Sequence, residues 1–91
     1  MRLDKYLKVS RIIKRRTIAK ELADDNRIFI NDKLAKPSSE VDVDDIVDIK
    51  FEHRHIKICV SFITDRIMKS NPPMYEVLSD ERIYRNDSSQ A

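Results

Sequence analysis

Arg2, Lys5, Lys8, Arg11, Lys14, Arg15, Arg16 and Lys20 put eight cations into the first twenty residues, and Asp4 is the one acid among them. The hydrophobic pattern makes Arg15 and Arg16 the opening turn of a helix that continues through Ala19, Leu22 and Ala23. Cations are locally unfavourable there, because free N–H groups and the helix dipole at that end attract anions and repel positive charge. Free amide donors next to arginine and lysine do suit a phosphate group. A solvated surface would mix both signs, whereas a one-sided run implies an anionic partner, and a nucleic-acid backbone is the anion that needs most cations. Arg16 leads this set, since a guanidinium can hold two phosphate oxygens in a fork. The Thr17 hydroxyl either contacts a phosphate or caps the helix, and the sequence leaves both open. Arg27, Lys33 and Lys36 are expected to extend the patch. Structured RNA suits it better than DNA, because no long recognition helix carries base-reading side chains.

The elements that must position these residues are short. Leu3 and Leu7, flanked by Tyr6 and Val9, predict a helix over residues 2–9. Ser10 to Ile13 is a tight connection, with Ile12 and Ile13 plugging the gap between helices. The second helix is expected from about Arg15 to Asp25, burying Ile18, Ala19, Leu22 and Ala23. Asn26 should end it in a left-handed conformation. Strands are predicted at Ile28–Ile30 and, after an Asn31-Asp32 turn, at 33–36. Two more surround a hairpin tip at Glu52-His53-Arg54, carried by Val47, Ile49 and Phe51 and by Ile56, Ile58, Val60 and Phe62. Phe29 points away from Ile28 and Ile30, either under the helices or onto a contact surface. Tyr6 could stack on a base, although its spacing from Leu3 and Val9 is that of a core residue. The chain has no glycine, so Asn26, Asp32 and Asp44 inherit the positions that want positive φ, at some cost in stability. Past Thr64 the pattern decays, leaving Met74–Leu78 as one apolar patch and residues 79–91 as a frayed tail. A domain over residues 1–66 and an extension over 67–91, its end disordered, are expected.

Ninety-one residues allow one small domain, with little volume for an enclosed active site beside a full core. The net charge of +2 conceals a polarity: residues 1–36 hold 11 basic and 5 acidic side chains, and residues 37–52 hold 1 and 6. The acidic strip should therefore lie away from the nucleic acid. A single cysteine, Cys59, excludes an internal disulfide and suggests a reducing cytoplasm. No apolar run approaches the roughly 18–20 residues that span a bilayer, and no apolar segment of a secretory signal follows Met1. His53, His55 and Cys59 share one face of a hairpin, but a fourth ligand is missing, so no metal or other cofactor is expected. No nucleophile–base pair, glycine-rich phosphate loop or pair of facing carboxylates is present, and a non-enzyme is expected.

The ordered motifs Arg2-Leu3-Asp4-Lys5 with Leu7, Arg16-Thr17 with Ala19, Arg27-Ile28 with Asn31, and Lys36-Pro37-Ser38 resemble the S4-like RNA-binding domain across roughly residues 2–50. The resemblance implies an α+β fold in which a two-helix αL motif packs on a small antiparallel β-sheet. Lys8-Val9-Ser10-Arg11, Ile13 to Thr17, Ala19-Lys20-Glu21 and Met74–Leu78 are similar to one branch of it, the RqcP family of bacterial ribosome quality control. That similarity implies binding to 23S rRNA and to peptidyl-tRNA in the P site of the 50S subunit. It further implies work with a partner, RqcH, that adds alanine to stalled chains, by a cytoplasmic protein expected to be a monomer away from membranes. Members of the family carry glycine where Asn26, Asp32 and Asp44 stand, which touches turn rigidity rather than the basic surface. Neither the long basic carboxyl-terminal extension of related heat-shock proteins nor an attached synthase or synthetase body is expected. The competing readings are a general heat-shock or 50S-recycling factor, a small protein-interaction adaptor using Glu40–Glu52 or Met74–Leu78, and a DNA-binding helix-turn-helix protein.

Overall fold

The structure, a computed structural model, describes residues 1–66 and 68–82. Two helices, α1 (Leu3–Val9) and α2 (Arg16–Asp24), precede five strands: β1 (Ile28–Ile30), β2 (Lys33–Leu34), β3 (Ile46–Lys50), β4 (Arg54–Val60) and β5 (Tyr75–Arg82). The strands form one antiparallel sheet in the order β2-β1-β3-β4-β5. This is the α+β architecture expected, two helices on a small antiparallel sheet. Alternation along β3 and β4 sends Val47, Ile49, Ile56, Ile58 and Val60 to the helix side, where they pack with Leu3, Leu7, Ala19 and Ala23.

The helix pair is closed by backbone chemistry at both ends. The N–H groups of Leu3 and Asp4 donate to the carbonyls of Ser39 (2.7 Å) and Pro37 (3.1 Å), so the Lys36–Ser39 loop clamps the start of α1. At the end of α2, Arg27 N–H reaches the Leu22 carbonyl and Asn26 N–H the Ala23 carbonyl, with Asn26 at φ 62°. That is a Schellman stop built on asparagine instead of glycine. Asp32 and Asp44 also take positive φ as expected, and Asn31 and Arg11 join them. Asn31 and Asp32 together make a two-residue hairpin turn with both φ positive, the twist-matched type I′ geometry.

Three expectations are corrected, and the open alternative at Phe29 is decided. Helix α2 begins at Arg16, with Arg15 extended at the capping position. Ile18 is 39% exposed, because Ala19 and Ala23 set a narrow buried stripe and Ile18 stands about 100° around the helix from Ala19. Phe29 lies on the sheet face opposite the helices, with the Lys50 ammonium 4.8 Å from its ring centroid. The frayed tail does not begin at residue 79: Ser79, Asp80, Glu81 and Arg82 pair with Lys57, Ile56, His55 and Arg54. The rest of that tail, residues 83–91, lies outside the described residues.

Tyr6 joins β5 to the helices. Its ring is fully buried and its hydroxyl donates to the Met74 carbonyl at 2.9 Å. Burial drives its phenol pKa far above the ordinary value. Ending the chain at Leu78 rather than Arg82 removes four paired residues and the Arg54–Asp80 ion pair. The shorter chain is expected to melt at least about 5 °C lower, the scale of 1 kcal/mol in a domain this small. Equal melting temperatures by circular dichroism would show that the end of β5 adds nothing.

Candidate nucleic-acid interface

Asp4 organises the basic surface. Its carboxylate is 1% exposed in the first turn of α1, where the dipole favours a negative charge. Arg2 holds it from one side, with Nε 3.3 Å from Oδ1 and Nη2 donating to Oδ2 at 3.4 Å. Arg16 holds it from α2, with Nε 3.3 Å from Oδ2 and Nη2 donating to Oδ1 at 3.4 Å. The Lys5 N–H adds a third donor at 2.8 Å. Burial alone would raise the carboxyl pKa. The Arg16 hydrogen bond, the Lys5 N–H and the charges of Arg16 and Arg2 outweigh it and hold the group below its ordinary value. Both guanidiniums remain half exposed, at 50% for Arg2 and 44% for Arg16. One buried acid thus fixes two arginines at the surface, one just before α1 and one opening α2, which removes part of the entropy cost of ordering them on a ligand.

Next to this pair, the start of α2 lacks a side-chain cap. The Arg15 carbonyl accepts from Ile18 and Ala19. Among the described residues the amide groups of Arg16 and Thr17 have no acceptor, and no backbone N–H donates to the Thr17 hydroxyl, so it does not cap the helix. Lys14, Arg15, Thr17 and Lys20 are exposed around this end. Free amides, a hydroxyl and guanidiniums are the kinds of group that suit a phosphate.

The other expected residues are more scattered. Lys5 is half buried on α1, Lys8 is exposed in its last turn, and Arg11 stands in the turn between the helices at φ 66°. Lys36 opens the loop that clamps α1, its N–H bonded to Ser39 Oγ. Arg27 reaches the Lys50 carbonyl at 3.5 Å, at the link between α2 and β1. Lys33, on the edge strand β2, lines a cleft shared with Glu40 and Asp45 and so faces the acidic side. Within the acidic strip, Glu40 pairs with the amino terminus at 2.9 Å, while Asp45 takes the Asn31 amide and the Asp42 N–H. The acid beside Arg16 is Asp4, which reading neighbours along one helix could not reveal because twelve residues separate the two.

His55 and Cys59 lie on the outer sheet face, where His55 Nε2 sits 3.0 Å from Asp48 Oδ1, and His53 faces Glu52 in the hairpin turn. Among the described residues no group of three or more His, Cys, Asp or Glu side chains is placed to hold a metal ion. No helix among them is long and apolar enough to cross a membrane.

A paired-helix motif on an antiparallel sheet, with its cations at the helix junction, defines an S4-type module. The family model for the S4 domain matches residues 1–47. The fold also superimposes on a solved structure described as trimeric Heat Shock Protein 15 of Vibrio cholerae, with a TM-score of 0.75 and 26% identity, over 87% of this chain and 82% of that one. Proteins named RQC P-site tRNA stabilizing factor are similar along nearly the whole length. The Streptococcus pneumoniae protein is 49% identical over 94% of this chain and 99% of its own, and the Bacillus subtilis protein 45% over 91% and 98%. The chain belongs to the S4 domain family and, within it, to the RQC P-site tRNA stabilizing factors.

Proposed function

We propose that this protein is an RNA-binding accessory factor of the bacterial large ribosomal subunit that works by binding rather than by a reaction of its own. It contacts 23S rRNA and steadies peptidyl-tRNA in the P site while alanine is added to stalled chains by RqcH, and it acts in the cytoplasm, where those ribosomes are. The observation that carries this reading is the pair of arginines fixed on Asp4 beside the uncapped start of α2. It is a rigid phosphate-holding surface, suited to folded RNA read by backbone and shape. The names of the relatives support the quality-control setting. The likeness to Heat Shock Protein 15 supports a more general heat-shock role less well, at 26% identity against 49% and 45%.

Sedimentation with purified 50S subunits carrying P-site tRNA tests it. Binding should weaken steeply with salt, the logarithm of the association constant falling by about 0.9 per phosphate neutralised for each tenfold rise in salt. Salt-independent binding, or equal binding to 50S subunits with and without tRNA, would contradict the reading.

A further inference from the structure

Helices α1 and α2 do not cover the whole inner face of the sheet. Val77 is paired with the fully buried Ile58 and shares its side of the sheet, yet Val77 is 51% exposed. The uncovered strip is a groove of about 240 Å³ lined by the α1–α2 turn and by the paired strands β4 and β5. Its lining includes the buried Ile56 and Ile58 together with Ile12, Val77 and Tyr75. The exposed Arg11 lines it too. Arg54 and Asp80, also in the lining, form a two-pronged ion pair, 2.8 Å from Nε and 2.6 Å from Nη2.

We propose that this groove takes one unstacked nucleobase of the same RNA whose backbone the basic face holds, a proposal that rests on the RNA reading above. Three observations select that occupant. The groove is continuous with the basic run, because Arg11 belongs to the turn between Lys8 and Lys14 and lines the groove as well. Arg11 is held in the left-handed region, at φ 66°, a conformation unfavourable for a residue with a long side chain and kept where the surroundings enforce it. Its N–H bond to the Lys8 carbonyl, at 3.0 Å, fixes the turn in that shape. The chemistry also fits a planar ring: aliphatic side chains and one aromatic side chain for the base, with two guanidiniums and one carboxylate in the same lining. The volume lies below the roughly 300–1,000 Å³ of sites for drug-sized ligands, so it suits one base and not a longer segment. Proteins read single-stranded loops and bulges in this way, by drawing a base out of its stack onto aromatic and arginine surfaces.

The probes are a short RNA hairpin with one bulged 4-thiouridine and the same hairpin fully paired, with affinity read by fluorescence anisotropy. Wild-type protein should prefer the bulged hairpin about tenfold, the scale of one base stacked on protein. Val77→Asp changes a half-exposed edge-strand residue that the phosphate surface does not use. It should abolish the preference and leave affinity for the paired hairpin unchanged. Irradiation of the wild-type complex should crosslink the bulged base to the peptide containing Tyr75 and Val77, a readout that needs no variant to fold. Equal affinity of the wild type for both hairpins, with normal salt dependence, would overturn the groove proposal and leave the RNA reading standing. Failure to bind either hairpin in a salt-dependent way would overturn both. Persistence of the preference in folded Val77→Asp, or a crosslink confined to α2, would overturn the groove alone. So would a photocrosslinker at position 77 that captures a ribosomal protein, rather than rRNA or tRNA, from 50S complexes.

Discussion

Arg16→Ala should weaken binding to 50S–tRNA complexes by roughly 10- to 150-fold, equivalent to the approximately 1.5–3 kcal/mol of a hydrogen bond to a charged group. The salt slope should fall by about one unit, because one phosphate contact is lost. Read along the sequence, this substitution looks neutral for stability, within about 0.5 kcal/mol as for an ordinary surface change. The structure alters that expectation. Arg16 donates to a buried carboxylate, so its removal leaves Asp4 with Arg2 and the Lys5 amide alone. A loss of about 1–2 kcal/mol is expected, less than for a fully buried pair because Arg16 is 44% exposed. Arg16→Lys separates the two roles. A lysine keeps a positive charge near Asp4 and should recover much of the stability, but it lacks the fork and should still bind RNA poorly. Thermal unfolding and sedimentation, the latter well below every melting temperature, measure both effects on one preparation. Normal 50S binding by folded Arg16→Ala would refute the phosphate role.

Asp4→Ala is expected to be the most destabilising single change on this surface, by about 1–3 kcal/mol. It removes the counter-charge of two arginines, the acceptor of the Lys5 N–H and the polar link from α1 to Arg16 of α2. Asp4→Asn keeps the shape and tests the charge. Its effect on RNA affinity discriminates between two physical accounts. Long-range electrostatics alone predicts tighter binding once a negative charge is gone, whereas loss of the fixed arginine geometry predicts binding severalfold weaker at moderate salt. The weaker outcome is expected. The pH dependence follows from the lowered carboxyl pKa. A group whose folded-state value lies below its unfolded value, about 4 for aspartate, stabilises the protein fully above that pH. The stability gap between wild type and Asp4→Asn should therefore hold from neutrality down to about pH 4. It should then close as pH falls through the lower, folded-state value. A gap independent of pH would mean that the charge of Asp4 contributes nothing.

How far the fold could be read in advance depended on how regular each pattern was. Strands β3 and β4 alternate without interruption, and α1 repeats its leucines at helical spacing, so these elements and their buried faces were legible. The left-handed Asn26, Asp32 and Asp44 were legible too, since a chain without glycine has few other candidates. Strand β5 was half hidden. Its pairing with β4 shifts register between Lys57 and Ile58, which leaves Leu78 unmatched and puts Asp80 and Arg82 where alternation would call for apolar residues. An edge strand carrying four charges gives little periodic signal. On the basic surface the cations could be picked out by composition alone. Asp4 passed as a diluting charge, because its bond to Arg16 joins two helices across a turn. The one hint was an acid in the first turn of a predicted helix, a place where acids are favoured for a local reason as well.

The left-handed residues, five among those described, bear on the unfolded chain as much as on the folded one. A sequence without glycine has fewer backbone conformations to give up when it folds, so each turn starts from a lower entropy. At Asn26, Asn31, Asp32 and Asp44 this advantage offsets a small penalty, since short polar side chains tolerate positive φ. At Arg11 the compensation is poorest, because a long side chain gains nothing from the left-handed shape itself. Glycine there would relax the native turn while loosening the denatured chain, and it would delete a cation. The turn between the two helices is therefore the place where ease of folding and charge at the surface pull in opposite directions, and this chain has kept the charge.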